Sequence, residues 1–242
     1  MMKSFLVFSV VLLSLSAHSS VEWITVHPKQ VDIQDAPSVT LNMSSHYVTN
    51  NNTIGRLEPF DIMRTEFSCK QFLKVMDSLV GKREQQLRNA CDDYPLEPIT
   101  GVTLQEAELA CTSLGGELPS EYQWLAAALY RGSVTTLSVK AWYQTILVQE
   151  YQENEQATST MARDYKVDVE DAYSNLSGIK GLVGNVWEMT RSQWSENDRQ
   201  YVMKGGSFDL MRKPMLLNPA YRAGFNPESV LDENVGFRCI KQ

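Results

Sequence analysis

The amino-acid sequence predicts an α+β fold in a single domain with few regular elements and many ordered loops. Capping boxes at Thr103 and Ser120 mark the starts of two helices in the middle of the chain. The stretch 60–72 has the pattern of a strand that runs into a helix. The chain has 242 residues, 43% of them hydrophobic, which is enough for one sizeable core.

The N-terminus, 1–19, predicts a secretory signal peptide. Lys3 precedes an apolar run from Phe5 to Leu15, and the small residues Ala17 and Ser19 provide a cleavage site. The run is shorter than the roughly 18 to 20 residues that a membrane span needs, and no later segment is long and apolar enough to be one. We therefore expect a periplasmic or secreted chain without a membrane span. An uncleaved N-terminal anchor is the alternative.

An N-terminal lead-in, 20–55, follows the signal peptide. It is polar and turn-rich, and Trp23, Val26 and Val31 suggest short strands within it. The main domain is expected to span 56–242.

The first helix should follow directly on a strand. Thr65 has a hydroxyl suited to an N-cap, and Phe67, Phe72 and Val75 recur at the spacing of one helical face. We therefore expect a helix from Thr65 whose apolar face joins the core.

The two capping boxes predict the next helices. In the box that begins at Thr103, the hydroxyl and the carboxylate of Glu106 each satisfy an unpaired backbone N–H. This helix should end near Gly115, since glycine readily adopts the left-handed cap conformation. The box at Ser120 should start a helix over 124–130. Residues 132–172 carry no recognisable motif, and we assign them to a divergent insertion.

Charge and cysteine content limit the possible partners and the compartment. The net charge is −7, and the nearest basic cluster, Arg212-Lys213, is only two residues long, so the chain lacks a phosphate-neutralising surface and we expect no nucleic-acid partner. The even number of cysteines suits an oxidising compartment. Four cysteines allow three pairings: Cys69, Cys91, Cys111 and Cys239.

Three phrases stand in a fixed order near the C-terminus, and a fourth lies in the middle of the chain. They are Gly181–Thr190, Val202–Phe208 and Val235–Cys239, and the segment from Tyr94-Pro95 through Leu118–Trp124. Together they resemble the signature of the formylglycine-generating enzyme family, also called sulfatase-modifying factors. The resemblance covers roughly 60–130 and 181–239, and it implies the α+β fold of that family, which is related to C-type lectins.

The resemblance also identifies the positions of the family's redox pair. Active members carry two cysteines after the Gly-Gly-Ser-aromatic phrase, and these hold copper and activate oxygen. The matching positions here are Leu210 and Met215. Because Cu(I) requires thiolates, we expect no copper and no catalytic residue. A three-histidine iron site, used elsewhere in the superfamily, is also excluded, since only His27 and His46 remain after signal cleavage.

The family further implies how the cysteines pair. The helix cysteine pairs with that of the Gly-Phe-Arg-Cys phrase in related proteins, which here joins Cys111 to Cys239 and leaves Cys69 for Cys91.

Calcium is the one cofactor that the resemblance permits. In family members the Gly-Asn-x-Trp-Glu turn binds it through backbone carbonyls and the glutamate carboxylate, hard oxygen ligands suited to this cation. The alternative is that the glutamate caps or pairs within the core. The matching ligands are Val183, Gly184, Val186 and Glu188.

The expected function is binding of a polypeptide. Active relatives hold an extended peptide in a surface groove, and Ser207, Phe208, Asp209 and Arg222 should form its rim here. Ser207 lacks the Gly-x-Ser-x-Gly context of a hydrolase nucleophile, so we expect it to shape the groove.

The expected partner is a protein or peptide of the periplasm or extracellular space. Some bacterial relatives regulate membrane Ser/Thr kinases, including those that control type VI secretion, and such a receptor is the leading class. A divergent sulfatase-maturation enzyme and a lectin-like carbohydrate binder are the alternatives.

Overall fold

The structure is a computed structural model that describes residues 21–28, 56–76, 82–131, 166–196, 198–210 and 217–242. The predicted signal peptide, Met215, most of the lead-in and most of the predicted insertion lie outside these residues. The helices are α1 (Cys69–Val75), α2 (Lys82–Asp92), α3 (Leu104–Ser113) and α4 (Glu121–Leu129). The strands are β1 (Trp23–Val26), β2 (Phe60–Met63), β3 (Trp187–Gln193), β4 (Tyr201–Lys204), β5 (Ala223–Phe225), β6 (Val235–Gly236) and β7 (Ile240–Lys241).

The strands form two small sheets. The first has the order β1-β2-β7 and is antiparallel, with Trp23 opposite Met63 and Ile62 opposite Ile240. The second has the order β5-β4-β3-β6, in which the β3–β6 pair is parallel. Strand β1 confirms the strand expected at Trp23 in the lead-in, and the mixture of helices and sheets confirms the α+β class.

Helix α1 begins later than predicted. Its N-cap is Ser68, whose hydroxyl accepts from the Gln71 backbone N–H at 3.3 Å while the Gln71 side chain accepts from the Ser68 N–H at 3.0 Å. The Thr65 assignment was wrong because the backbone just before Ser68 is used elsewhere: Phe67 N–H donates to the Phe237 carbonyl, and its own carbonyl accepts from Ile99 N–H. These long-range bonds hold the chain extended until Ser68.

Helices α3 and α4 confirm the two capping boxes. Thr103 and Ser120 are the N-caps, and in each box the side-chain and backbone bonds are both present. Helix α3 ends at Ser113, and Gly115 follows with a φ of +73°, which suits the expected glycine terminus.

Helix α2 carries no strong sequence signal. Its sequence is polar, and Leu87 and Cys91 are its buried apolar residues. Because an amphipathic pattern needs several apolar positions, this helix could not be recognised from periodicity.

The core has two apolar clusters. One packs the rings of Phe67, Phe72 and Phe237 with centroid separations of 5.0 to 6.3 Å. The other surrounds α4, where Trp124 is fully buried. Within the described residues no helix has the length and apolarity to cross a membrane.

Candidate functional site

Both disulfides expected from the family are present. Cys69 is bonded to Cys91, and Cys111 to Cys239. The two bridges use all four cysteines of the chain. Consequently no thiol is available for copper chemistry.

The Gly-Gly-Ser phrase forms a tight turn after β4. Gly205 has a φ of +96°, and a Cβ there would lie 2.9 Å from the Leu182 carbonyl and 3.1 Å from the Trp124 ring. The glycine is therefore required by both its backbone conformation and the close packing. The turn leads into a short 3-10 helix, Phe208–Leu210, so the first matched thiol position ends this helix.

Three of the four predicted rim residues lie on this turn. Ser207 is buried, and its hydroxyl donates to a carboxylate oxygen of Asp209. The other oxygen of Asp209 accepts from the Asn234 amide at 3.1 Å. Phe208 is half-buried, and its backbone N–H donates to the Asn185 carbonyl at 2.9 Å. The exposed Asp209 carboxylate is thus fixed in place by two neighbours.

Arg222, the fourth predicted rim residue, makes its contacts elsewhere. Its guanidinium lies 4.5 Å from the centre of the Trp194 ring and donates to the Trp194 carbonyl at 3.0 Å. It also pairs with the mostly buried Glu121 carboxylate at 3.2 Å. Arg222 therefore braces α4 against the end of β3.

Glu188 lies at the centre of a buried ionic network. Its two carboxylate oxygens each accept a 2.7 Å bond from Arg238, and one also accepts from the Trp124 indole N–H at 3.0 Å. Glu188 and Arg238 are both fully buried. The structure therefore assigns Glu188 to pairing within the core, which was the alternative to a calcium ligand.

The predicted calcium turn can be tested against this geometry. Both oxygens of Glu188 are engaged by cationic or indole donors, and a divalent cation bound to them would lie beside the Arg238 guanidinium. Among the described residues no group of three or more histidine, cysteine, aspartate or glutamate side chains could hold a metal ion. The donor set does not fit calcium through Glu188, and calcium binding by the backbone carbonyls of Val183, Gly184 and Val186 stays a prediction.

A second carboxylate, Glu66, reaches the same network and was not predicted. One of its oxygens accepts from the Asn185 amide at 3.0 Å. The other has no hydrogen-bond partner among the described residues and lies 3.9 Å from Arg238. Burial raises the pKa of Glu66 to about 7; Arg238 lowers the pKa and Glu188 raises it.

Asn185 connects this network to the C-terminal part of the predicted insertion, 132–172. It has a φ of +56°, and its side chain bonds both the N–H and the carbonyl of Val167 in addition to Glu66. Gly181 packs against Glu66, and a Cβ at this position would overlap the Glu66 carboxylate. Gly181 and Asn185 belong to the Gly181–Thr190 phrase, but the phrase alone predicts none of these contacts.

Lys204 is a fully buried side chain near the Trp124 ring. Its ammonium group donates to the Ala220 carbonyl at 3.2 Å and lies 5.9 Å from the centre of the Trp124 ring. Burial lowers its pKa to about 7, with Glu121 raising the pKa and Arg222 lowering it. A charged residue between apolar neighbours and paired glycines, as in Val202–Phe208, is the signal that could have identified it.

The chemistry of these groups is structural. The Ser207 hydroxyl is paired with a carboxylate, so it lacks the imidazole base of a hydrolase triad. Glu66, Glu188, Arg238 and Lys204 have no exposed surface that could contact a substrate. Among the described residues of the Gly-Gly-Ser turn, Phe208 is half-buried and Asp209 is exposed.

Comparison with known proteins places these features in context. The model of the sulfatase-modifying factor enzyme 1-like domain matches residues 29–242. Protein YfmG of Bacillus subtilis (strain 168) is 28% identical over 203 residues, which cover 66% of this chain and 39% of YfmG. The inactive C-alpha-formylglycine-generating enzyme 2 of Bos taurus is 30% identical over 158 residues, which cover 59% of this chain and 49% of the bovine protein.

The chain therefore spans less than two thirds of the length of these relatives. Among solved structures, CarF superposes with a TM-score of 0.58 and 15% identity, covering 92% of this chain and 98% of CarF. At this identity the likeness concerns the fold alone.

Proposed function

The chain belongs to the family of sulfatase-modifying factor enzyme 1-like domains, and from this premise we propose that it is a catalytically silent member that binds a polypeptide. The observation that carries this proposal is the state of its cysteines. All four are consumed by two disulfides, and the matched redox positions hold Leu210 and Met215. A leucine and a thioether cannot form the bis-thiolate site that Cu(I) oxidation requires.

The relationship to the bovine protein supports a silent member. That protein is named as an inactive formylglycine-generating enzyme, and it is 30% identical to this chain over the shared region. Loss of catalysis in a member of this family is therefore a known outcome. For this chain it remains our proposal, supported by its own sequence at the two redox positions.

The proposed binding surface is the turn that carries Phe208 and Asp209. The Asp209 carboxylate is exposed, and Ser207 and Asn234 hold it in one orientation. A partner's N–H or cationic group can therefore bind it with little loss of side-chain conformational entropy. Phe208 adds partly exposed aromatic surface beside it. We do not include Arg222 in the proposed surface, because its guanidinium already contacts Trp194 and Glu121.

We propose a periplasmic or extracellular polypeptide as the partner, with the outer domain of a membrane Ser/Thr kinase as the leading class. The two disulfides among the described residues support an exported location.

Site-specific photo-cross-linking tests this proposal. Phe208 is replaced by p-benzoylphenylalanine, which keeps an aromatic ring, and the protein is irradiated in envelope and secreted fractions of the source organism. Leu176, which is 83% exposed on a different turn, carries the same probe as the matched control. We expect a polypeptide product at position 208 alone, and we expect Asp209→Ala to weaken its binding by about 1 to 3 kcal/mol.

The product also separates the alternatives. A glycan or a sulfatase cross-linked at position 208 would replace the regulatory proposal with a lectin-like or a maturation role. Equal cross-linking at 208 and 176, or unchanged affinity in Asp209→Ala, would contradict binding at this turn.

A further inference from the structure

We infer that residues 92–96 (Asp-Asp-Tyr-Pro-Leu), here called the acidic turn, form a second interaction surface that docks into an apolar pocket flanked by lysine or arginine side chains on a partner polypeptide. The acidic turn begins at Asp92, the last residue of helix α2, and is separate in sequence from the Phe208–Asp209 turn. The inference therefore stands independently of the proposed function.

The acidic turn exposes two large apolar side chains that are separated in sequence by one residue. Tyr94 is 59% exposed and Leu96 is 46% exposed, and all five residues of the turn lie at the surface. Single exposed apolar residues are common, but here an aromatic and an aliphatic side chain occupy alternate positions of one turn. Tyrosine is also among the residues that most often dominate binding energy at interfaces.

The backbone that carries these side chains is held rigidly. The Tyr94 carbonyl accepts from Glu97 N–H at 3.2 Å, which closes a β-turn with Pro95 at its second position. The carbonyls of the next three residues each accept a backbone N–H from another segment, at 2.8 to 2.9 Å. These donors are Lys70, Val169 and Cys69.

Covalent and backbone contacts thus fix the main chain that carries the apolar side chains. The Cys69–Cys91 disulfide anchors α2 immediately before the acidic turn. Because a rigid loop loses little conformational entropy on binding, the area buried there is converted efficiently into affinity. Tyr94 and Leu96 are thus preorganised to enter a pocket.

Asp92 and Asp93 indicate the charge of the partner. Asp92 is the last residue of α2, Asp93 follows it, and the last turn of this helix contains no basic residue. Carboxylates at a helix C-terminus interact unfavourably with the helix dipole. Unfavourable placements of this kind are expected mainly at functional sites, and we therefore assign Asp92 and Asp93 to binding. Their charge, on a chain of net charge −7, favours a basic partner surface.

Cross-linking from within the acidic turn provides the test. Tyr94 is replaced by p-benzoylphenylalanine in the full chain, with Leu176 carrying the same probe as the control. The cross-linked polypeptide is identified and purified, and its affinity is measured by titration against four proteins: wild type, Tyr94→Ser/Leu96→Ser, Asp92→Asn/Asp93→Asn and Leu176→Ser. Thermal melting of each variant verifies folding, since all the replaced side chains are exposed.

We expect the Tyr94→Ser/Leu96→Ser variant to bind at least roughly tenfold more weakly than wild type. Asp92→Asn/Asp93→Asn should bind more weakly and lose most of the salt dependence of the association rate, and Leu176→Ser should match wild type. No product at position 94, unchanged affinity in both double variants, or a partner site without basic residues would each overturn the inference. A cross-linked polypeptide at position 208 without one at position 94 would support the proposed function and contradict binding at the acidic turn.

Discussion

Arg238 is the residue that holds the buried charges of this domain together. Its guanidinium donates to both oxygens of Glu188 at 2.7 Å and to the Lys180 carbonyl at 2.7 Å. A further bond at 3.2 Å reaches the Met63 carbonyl at the end of β2. The Arg238 side chain therefore connects three segments: the first sheet, the loop residue Lys180 and strand β3.

Removing Arg238 should strongly destabilise the protein, because it leaves the fully buried Glu188 without its counter-charge. We expect Arg238→Met to lose about 3 to 5 kcal/mol of unfolding free energy in urea titrations. Arg238→Met combined with Glu188→Leu should recover part of the loss, since the pair is then replaced by apolar groups. A loss below about 1 kcal/mol for Arg238→Met would show that the pair does not have this role.

Glu66 and Lys204 should produce opposite pH dependences of stability. The pKa of Glu66 is raised to about 7 from an ordinary value of 4.5, so the folded state binds more protons between these values and stability falls as pH rises through them. The pKa of Lys204 is lowered to about 7 from 10.5, so the unfolded state binds more protons above 7 and stability rises with pH there.

The two groups together place a minimum of stability near neutral pH. Unfolding free energy, measured by urea titration from about pH 5 to pH 9, should show this minimum in the wild type. Glu66→Gln should flatten the acid side and Lys204→Met the alkaline side. A monotonic profile, or variants that keep both slopes, would contradict the assignment.

These residues also show the limit of prediction at the residue scale. Glu188 was recognised from its motif, with core pairing as one of its two roles. The Glu66 contact with Asn185 joins residues 119 positions apart. No local pattern reports such a contact, and the perturbed pKa values at Glu66 and Lys204 follow from burial that the folded chain alone creates.

At the scale of elements, prediction succeeded where the determining interactions are local. The boxes at Thr103 and Ser120 are satisfied within four residues, so the N-caps of α3 and α4 were predicted correctly. Helix α4 spans Glu121–Leu129, and so it begins three residues before the expected 124–130, directly after its N-cap. The start of α1 moved from Thr65 to Ser68 because Phe67 forms backbone bonds with Phe237 and Ile99. The parallel pairing of β3 with β6 joins segments that no sequence period connects.

The two disulfides should differ in how much they stabilise these elements. The Cys111–Cys239 bridge has a sequence separation of 128 residues, and the Cys69–Cys91 bridge one of 22. In the chain-entropy model, removing the longer bridge costs about 4 to 5 kcal/mol and the shorter about 3. Chemical unfolding of the paired serine variants, one bridge at a time, measures the difference. A larger loss from the shorter bridge would indicate that native contacts outweigh chain entropy.

At the scale of the whole molecule, the features that hold the fold are separate from those that the family uses for oxidation. The ionic network is centred on Glu188 and Arg238, and the disulfides join α1 to α2 and α3 to the C-terminal segment. Neither involves the two matched redox positions. Leucine and methionine at positions 210 and 215 therefore do not disturb the contacts that stabilise the fold, although they cannot supply the two thiols of copper-dependent oxidation.

The purified protein should accordingly generate no formylglycine. With Cu(I), oxygen and a Cys-x-Pro-x-Arg peptide, we expect product no higher than in a metal-free control, because no thiolate is available to hold copper beside the peptide cysteine. The reaction is followed by the mass of the peptide. In Leu210→Cys/Met215→Cys the two thiols are restored, and copper binding, measured by titration, is the expected gain even if turnover is not recovered. Copper-dependent product from the wild type would refute the silent assignment, whereas binding at Phe208 and Asp209 would still have to be judged by cross-linking.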